Sequence, residues 1–302
     1  MTDGQGRRIL AVVVTYNRLP LLQRLVARLS EVPELDDVLV IDNASTDGTG
    51  PWLEGVQVSS RTLTTNTGGA GGFHDGLAWA VERGADLVWL MDDDGLPERD
   101  CLARLLDHAD LDFWGPVVVD EDDPDRLVFP IRIPGGTRAV RAMDEVRAAS
   151  AEGVIRDVVI PFNGVLVTRD LVERIGLPRA EFFIWGDDVE YLWRAAEAGA
   201  RTATVVAAEV RHPSVGDLGT PMMFGRTTYN HSPSDLKHYC MARNNTLNLR
   251  EYRGWPHVLM FWVKTLWFYL LTKPRPGRLP MSVRAAYAGL RGDFTGHRRY
   301  VG

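Results

Sequence analysis

The chain has 302 residues, of which 45% are hydrophobic and 25% charged, and its formal net charge at pH 7 is -6. These proportions are typical of a soluble globular protein and exclude disordered, collagen-like and coiled-coil chains. The presence of only two cysteines, Cys101 and Cys240, excludes a disulfide-rich fold and favours a reducing, cytoplasmic setting. The sequence contains no uninterrupted run of about 20 apolar residues, so we predict no transmembrane helix.

Strand and helix patterns alternate in the first third of the chain. Continuous apolar or β-branched runs predict buried strands, and apolar residues at helical spacing predict helices. The predicted strands are 9–15, 38–42, 61–65 (weaker) and 87–91, and the predicted helices are 19–29 and 70–83. Such alternation builds a mostly parallel sheet through right-handed crossovers, so we predict an α/β fold with helices on both faces of the sheet.

The second part of the chain has a mixed pattern. The predicted strands are 113–119, 127–133, 162–168 and 202–210, and the predicted helices are 139–151, 188–198 and 234–252. Ser232 or Ser234 is the expected N-cap of the last helix. We predict one domain at residues 1–230 and a helical, basic C-terminal region at residues 231–302.

Three aspartates, Asp92 to Asp94, follow the fourth predicted strand. Adjacent carboxylates repel one another, and a divalent cation relieves that repulsion; Mg²⁺ and Mn²⁺ prefer oxygen ligands and often share a site with phosphates. In an extended segment Asp92 and Asp94 point the same way, so they are the expected pair around an ion. The alternative is a solvated acidic turn before Pro97.

A glycine-rich segment, Asn66 to Phe73, leads into a predicted helix. Glycines allow a ligand to approach the backbone, and a helix N-terminus favours anions, which suits a diphosphate or a sugar. The segment matches neither the dinucleotide fingerprint nor a Walker loop, and a tight strand–helix turn is the alternative.

Two acids, Asp187 and Asp188, follow an aromatic run and open a helix. One of them is a candidate general base, with Trp185 as an apolar wall for a sugar; the alternative is a helix N-cap.

His212 lies at the end of a later predicted strand, where the ligand edge of the sheet is expected. Neutral imidazole suits Mn²⁺, although a lone histidine is more often structural.

The segment Trp255–Thr272 is rich in aromatic residues, and residues 273–302 hold seven Lys and Arg against one acid, Asp293. The rest of the chain is therefore acidic, which argues against nucleic acid as a partner. An apolar, aromatic helix beside cations fits the interface of a bilayer; packing on the core or in an oligomer is the alternative.

Together these motifs resemble nucleotide-sugar glycosyltransferases of family 2, which have the GT-A fold. The resemblance rests on VVVTYNR, VIDNASTDGT, NTGGAGGF, WLMDDDG, FIWGDDVEY and RHP, in this order over residues 9–215. Within the family the chain most resembles bacterial galactofuranosyltransferases that begin the galactan of mycobacterial-type cell walls, through GGAGGF, DDPDRLVFPIR, FNG and, more weakly, YCMARN.

The resemblance implies roles for individual residues. Asp188 is implied as the general base, and the expected substrate contacts are Asp187, Trp185 and Asn163. The implied ligands of a Mn²⁺ or Mg²⁺ ion are Asp92, Asp94 and His212. The implied nucleotide contacts are Thr15, Asn17, Arg18, Asp42, Asn66, Gly69 and Asp92.

The implied reaction is an inverting transfer of galactofuranose from UDP-galactofuranose to a polyprenyl-diphosphate-linked saccharide. The implied location is the cytoplasmic face of the plasma membrane, with peripheral membrane contact through the C-terminal region, and an oligomer is compatible with the pattern. Trp185 stands where chain-initiating relatives carry arginine and polymerising relatives carry tryptophan, so the acceptor and the number of sugars added stay open. The alternative is a rhamnosyltransferase that uses a dTDP-sugar; a nucleotidyltransferase and a non-catalytic binding module fit the motifs less well.

Overall fold

The computed structural model describes residues 6–134, 139–160, 162–215 and 219–301. The chain divides into two compact units, one formed by Met1–Ala180 and Tyr191–Ser214, the other by Glu181–Glu190 and Val215–Gly302. The boundary expected at residue 230 therefore lies within the second unit, and the segment with the acid pair belongs with the C-terminal part of the chain.

The first unit is built on a mixed β-sheet. Its strands are β1 (Ile9–Thr15), β2 (Asp37–Asp42), β3 (Ser59–Thr62), β4 (Leu87–Asp92), β5 (Leu96–Pro97), β6 (Phe113–Asp120), β7 (Arg126–Arg132), β8 (Ala139–Ala142), β9 (Val154–Arg156), β10 (Asn163–Thr168) and β11 (Thr202–His212). The main strand order is β3-β2-β1-β4-β10-β6-β11-β5, with β7 and β8 attached at β6 and β9 at β11. β3, β2, β1 and β4 are parallel, β10 is antiparallel to both of its neighbours, and β6 and β11 are parallel again.

Helices cover both faces of this sheet. They are α1 (Leu19–Leu29), α2 (Thr49–Leu53), α3 (Gly68–Glu82), α4 (Cys101–Leu106), α5 (Met143–Ala149) and α6 (Arg169–Ile175); α7 (Asp187–Glu197) begins in the second unit and continues into the first. All seven residues of β1 are buried. Alternate residues of β1 belong to two different apolar clusters, because successive side chains of a strand point to opposite faces. The continuous apolar run in the sequence thus reflects burial on both faces.

The second unit is mainly helical, with α8 (Asp235–Tyr252), α9 (Trp255–Trp267) and α10 (Leu279–Arg291) and a small hairpin of β12 (Thr220–Met222) and β13 (Thr227–Tyr229). α8 packs closely on α10, since a Cβ atom at Gly289 would lie 2.4 Å from the carbonyl oxygen of Arg243. The side-chain oxygen of Ser234 accepts a hydrogen bond from the backbone nitrogen of Lys237, which confirms the predicted cap. Among the described residues, none of the helices combines the length and the apolar character that crossing a membrane requires.

One predicted helix is wrong over its first turn. Residues 139–142 form β8, paired with β7, and α5 begins only at Met143. Val140 is the one buried residue of Ala139–Ala142, which suits a strand as well as a helix, and pairing with β7 decides between them. The short strands β5, β9, β12 and β13 have no separate signal in the sequence.

Candidate active site

The carboxyl ends of five strands meet at one edge of the sheet in the first unit. β1, β2 and β4 are parallel, and β6 and β11 run in the same direction as β4 because both are separated from it by the antiparallel β10. These strands end at Thr15, Asp42, Asp92, Asp120 and His212. The polar clusters predicted for this edge do share it, at the place where open α/β sheets bind ligands.

A network of charged side chains joins the ends of β1, β4 and β11. The Arg18 guanidinium lies 3.2 Å from Oδ1 of Asp93 and 2.5 Å from Oδ2 of Asp94. The Thr15 hydroxyl donates to Asp93 at 2.6 Å, and Nε2 of His212 lies 3.1 Å from Oδ1 of Asp94. Residues far apart in sequence therefore share one polar centre.

Burial and charge act against each other in this centre. Burial raises the pKa of Asp93 above its usual value, although Thr15 and Arg18 oppose the shift. Burial also disfavours the charged form of Asp94, but His212 and Arg18 outweigh this effect and lower its pKa to about 2. Burial alone would lower the pKa of His212, yet the Asp94 carboxylate raises it. Asp94 is thus a carboxylate at neutral pH, with two donors directed at it.

The side-chain alternation predicted for the three aspartates does not continue beyond Asp92. β4 ends there, and Asp93 and Asp94 form a turn in which both carboxylates face Arg18. Asp92 is half-buried, and its backbone nitrogen donates to the carbonyl oxygen of Phe162. The end of the strand therefore decides which acids share a partner.

The side chains at this edge suit a divalent cation in their chemistry. Nδ1 of His212 lies 2.7 Å from the carbonyl oxygen of Pro213, which can only accept, so Nδ1 carries a proton. Nε2 faces Asp94; it donates to this carboxylate when the ring is protonated and has a lone pair for a metal ion when the ring is neutral. In metal-binding histidines, the ring nitrogen that does not bind the metal usually donates to such a carbonyl oxygen. Within the described ranges, no three Asp, Glu, His or Cys side chains are grouped closely enough to hold a metal ion. The predicted ligands Asp92, Asp94 and His212 offer carboxylate and imidazole groups, which suit Mn²⁺ or Mg²⁺. Asp94 and His212 already lie next to each other.

Asp42 and Asn17 organise the loop after β2. Asp42 is fully buried and accepts from the backbone nitrogen of Ser45 and the hydroxyl of Thr62. Asn17 has a φ of 54°, and its side-chain oxygen accepts from the backbone nitrogen of Thr46 at 2.7 Å. Both predicted nucleotide contacts thus also hold the local backbone in place.

The glycine-rich segment serves two purposes. A Cβ atom at Gly71 would lie 2.3 Å from the hydroxyl of Thr67, the N-cap of α3, so this glycine leaves room for the cap residue. At Gly72 a Cβ atom would lie 2.4 Å from Val14 of β1, so this glycine lets α3 pack on the sheet. At Gly69 a Cβ atom would have no neighbour within 4 Å. Close packing accounts for two of the glycines, and Gly69 borders open space.

Two asparagines hold the start of α3. Asn66, predicted from the motif, accepts from the backbone nitrogen of Gly68 at 2.8 Å. Asn43 donates to the carbonyl oxygen of Gly68 at 2.7 Å and accepts from the backbone nitrogen of Thr67 at 2.8 Å. Asn43 was not among the predicted site residues, although its place directly after β2 is a signal for it.

Two further positions complete this edge. Asn163 begins β10, is half-buried, and pairs in register with Met91 of β4. Asp120 ends β6, is buried, and pairs in register with His212. Asp120 was not among the predicted site residues, although an acid directly after a buried apolar strand is the same signal that identified Asp92.

The acid pair lies in the second unit, at the first turn of α7. Asp187 is buried, and burial together with the charge of Asp188 raises its pKa. Burial likewise raises the pKa of Asp188, although backbone hydrogen bonds oppose the shift. Because α7 begins at Asp187, both acids belong to its first turn and not to the N-cap. Trp185 packs partly buried against an apolar cluster of the second unit. That Asp188 acts on the same substrate as Asp92, Asp94 and His212 stays a prediction.

The family model and the similar curated proteins both identify the chain as a glycosyltransferase. The model of the family "Glycosyl transferase family 2" matches residues 10–146. The chain is 31% identical over 296 residues to galactofuranosyltransferase GlfT1 of Mycolicibacterium smegmatis, covering 95% of this chain and 97% of the relative. It is 32% identical over 298 residues to GlfT1 of Mycobacterium tuberculosis, covering 95% of this chain and 96% of the relative.

Solved structures share the fold. The mannosyltransferase PcManGT from Pyrobaculum calidifontis, in complex with GDP-Man and Mn²⁺, matches with a TM-score of 0.51 and 19% identity over 94% of this chain and 75% of that one. S. aureus TarS 1–349 in complex with UDP-GlcNAc matches with a TM-score of 0.56 and 14% identity over 96% of this chain and 89% of that one.

Proposed function

The chain belongs to glycosyltransferase family 2 and is a glycosyltransferase, and we propose that it transfers galactofuranose from UDP-galactofuranose to a polyprenyl-diphosphate-linked saccharide. The galactofuranosyltransferase relatives, which are similar along almost the whole chain, support this donor. The observation that carries the proposal is the network of Arg18, Asp93, Asp94 and His212 at the carboxyl edge of the sheet.

We assign the nucleotide to this edge of the first unit. Its proposed contacts are Thr15, Asn17, Arg18, Asp42, Asn66, Gly69 and Asp92. Arg18 is nearly half-exposed, so its guanidinium is accessible to a phosphate oxygen of the donor. Gly69 borders open space near the start of α3, where backbone nitrogens favour an anion.

Asp92, Asp94 and His212 are the residues proposed to hold a Mn²⁺ or Mg²⁺ ion. When bound, such an ion neutralises the charge that grows on the UDP leaving group. Asp94 is well suited to this role because its carboxylate stays ionised at neutral pH. Arg18, which lies against Asp94, supplies a second positive charge for the diphosphate.

Asp188 is the proposed general base. It accepts the proton of an acceptor hydroxyl while that oxygen forms a bond to the anomeric carbon and the bond from this carbon to UDP breaks, which inverts the configuration. A raised pKa strengthens Asp188 as a base once it has lost its proton. Asp187, Trp185 and Asn163 are the proposed contacts of the sugars.

The proposed acceptor is attached to a lipid, and α9 supplies a surface for it. Trp255, Leu259, Met260 and Leu271 are each more than half-exposed, in or directly after α9. One lysine and six arginines follow in residues 273–302. An apolar helical surface beside cations suits an anionic bilayer, so we propose peripheral contact with the cytoplasmic face of the plasma membrane.

A donor screen tests the proposed function. The wild-type protein is incubated with Mn²⁺, a short lipid-linked rhamnose-containing acceptor and each of several nucleotide sugars, and glycosylated product is measured by mass spectrometry. Product from UDP-galactofuranose supports the proposal. Product from a dTDP-rhamnose donor alone would assign the protein to the rhamnosyltransferases instead.

A further inference from the structure

One face of α8 binds the loop that carries the acid pair. Asn244, Asn248 and Tyr252 are spaced four residues apart, so their side chains lie on the same side of this helix. Each of the three donates a hydrogen bond to residues 182–190. α8 therefore contacts the loop along two turns, from its aromatic run to the first turn of α7.

The asparagines bind the backbone of the loop at consecutive points. Nδ2 of Asn244 lies 3.1 Å, 3.2 Å and 2.7 Å from the carbonyl oxygens of Phe182, Ile184 and Trp185. Nδ2 of Asn248 lies 2.8 Å from the carbonyl oxygen of Gly186. These contacts include the two residues directly before Asp187.

The Tyr252 hydroxyl donates to Glu190 in the first turn of α7, at 2.6 Å. Glu190 is fully buried and lies two residues after Asp188. The loop is thus bound on both sides of the acid pair.

Arg243 fixes the orientation of the Asn244 amide. Its Nε donates to Oδ1 of Asn244 at 2.8 Å, which leaves the amide nitrogen directed at the loop. Its guanidinium also donates to the carbonyl oxygen of Phe182 at 2.7 Å. Arg243 is fully buried, and burial lowers its pKa. Burying a guanidinium is unfavourable unless it forms hydrogen bonds, so we infer that Arg243 does more than fill space in the core.

The loop conformation requires such support. Phe183, Trp185 and Gly186 have φ values of 67°, 72° and 89°. For residues with side chains this left-handed region is strained, and it persists only where the surroundings impose it. The hydrogen bonds from α8 impose it here.

We propose that Arg243, Asn244 and Asn248 are positioning residues that set the orientation of Asp187 and Asp188 for glycosyl transfer. This inference rests on the proposed role of Asp188. None of the three contacts substrate in the proposal; they act through the backbone of residues 182–186. They therefore affect the rate of the chemical step more than the binding of the nucleotide.

Two substitutions at Asn244 test the proposal. Asn244→Ala removes the donor, and Asn244→Asp keeps an acceptor for Arg243 but places an oxygen against three carbonyl oxygens. We expect kcat to fall by about 10²-fold, the effect of a displacement of about 1 Å, with the KM for the donor unchanged. The affinity for UDP with Mn²⁺ should also stay at the wild-type value.

Thr246→Ala is the matched control. Thr246 is fully buried in the same helix, and its hydroxyl donates to the carbonyl oxygen of Ala242 within α8. This variant should lower the melting temperature without lowering kcat. A general loss of helix stability would instead lower kcat equally in the Thr246 and Asn244 variants.

Hydrogen exchange of residues 182–190 gives a readout that does not depend on activity. Exchange should accelerate in both Asn244 variants and stay unchanged in Thr246→Ala. Wild-type kcat in an Asn244 variant, or unchanged exchange of the loop, overturns the positioning role. Absence of glycosyl transfer by the wild-type protein with every donor instead overturns the proposed function, and with it the catalytic purpose of the loop.

Discussion

His212 at the end of β11 lies 3.1 Å from Asp94, which follows the end of β4. The other ring nitrogen of His212 is held by the carbonyl oxygen of Pro213. Pairing of β5 with β11 brings these side chains together, because β5 begins two residues after Asp94 and sets Leu96 opposite Arg211, the residue before His212. Asp94 and His212 are the two proposed metal ligands that lie next to each other.

His212→Asn should weaken Mn²⁺ binding in the presence of UDP by about tenfold or more, because the imidazole ligand and its fixed orientation are both lost. It should also reduce the preference for Mn²⁺ over Mg²⁺, since imidazole suits the softer ion. Calorimetric titration of each metal measures both effects. His108→Asn, at a half-buried histidine elsewhere in the first unit, is the control. Equal Mn²⁺ affinity in wild type and His212→Asn would exclude His212 as a ligand.

Gly69→Ala and Gly72→Ala should affect different properties, nucleotide affinity in the first case and stability of the fold in the second. At Gly69 a new methyl group meets no atom within 4 Å, so the fold is retained, and donor affinity falls only if the nucleotide approaches this backbone. At Gly72 it would lie 2.4 Å from Val14 and destabilise the protein by about 1–3 kcal/mol. Thermal melts and UDP binding measure the two effects. Unchanged UDP affinity in Gly69→Ala would remove Gly69 from the nucleotide site.

Asp187→Asn should stabilise the fold at pH 8. The pKa of Asp187 is raised in the folded state, so the folded protein binds more protons than the unfolded chain and loses stability as pH rises above about 3.9. Asparagine removes this loss. We expect the melting temperature to rise by at least about 2 °C at pH 8, which corresponds to roughly 1 kcal/mol, and the gain to vanish near pH 4. A gain that is equal at both pH values would show that ionisation is not its cause.

Leu259→Glu combined with Leu271→Glu should release the protein from membranes. Both leucines are more than 60% exposed, and a carboxylate at each site opposes both apolar insertion and attraction to anionic lipid. Sedimentation with vesicles of phosphatidylglycerol and phosphatidylcholine measures binding. Val215→Glu, at an exposed valine outside α9, is the control. Unchanged sedimentation, or conversion of a dimer to a monomer without loss of vesicle binding, would contradict the membrane role of α9.

Much of the first unit follows from the sequence. Strands buried on both faces, such as β1, give long apolar runs, and the acids and amides that follow them mark the carboxyl edge of the sheet. The predicted GT-A fold, family and enzyme class are confirmed by the family model and by relatives similar along almost the whole chain. The partners of Asp93 and Asp94 were not predictable, because they depend on where β4 ends and on Arg18 from another loop.

The second unit is harder to predict because its polar contacts are long-range. Arg243, Asn244 and Asn248 are buried polar residues in α8, so the helix lacks a clear apolar face in its sequence. Their partners lie about sixty positions earlier in the chain. The pattern of residues 234–252 indicates a helix but gives no sign of what its polar side chains hold.

We propose that Asp188 and the centre around Asp94 take part in one metal-dependent transfer. Transfer from UDP-galactofuranose and affinity for UDP with Mn²⁺ are measured together in Asp188→Asn and Asp94→Asn. We expect Asp188→Asn to lose about 10²–10⁴-fold in kcat while binding UDP and Mn²⁺ like the wild type, and Asp94→Asn to lose both transfer and metal-dependent UDP binding. Near-wild-type turnover by Asp188→Asn would exclude Asp188 as the general base of a shared, metal-dependent site.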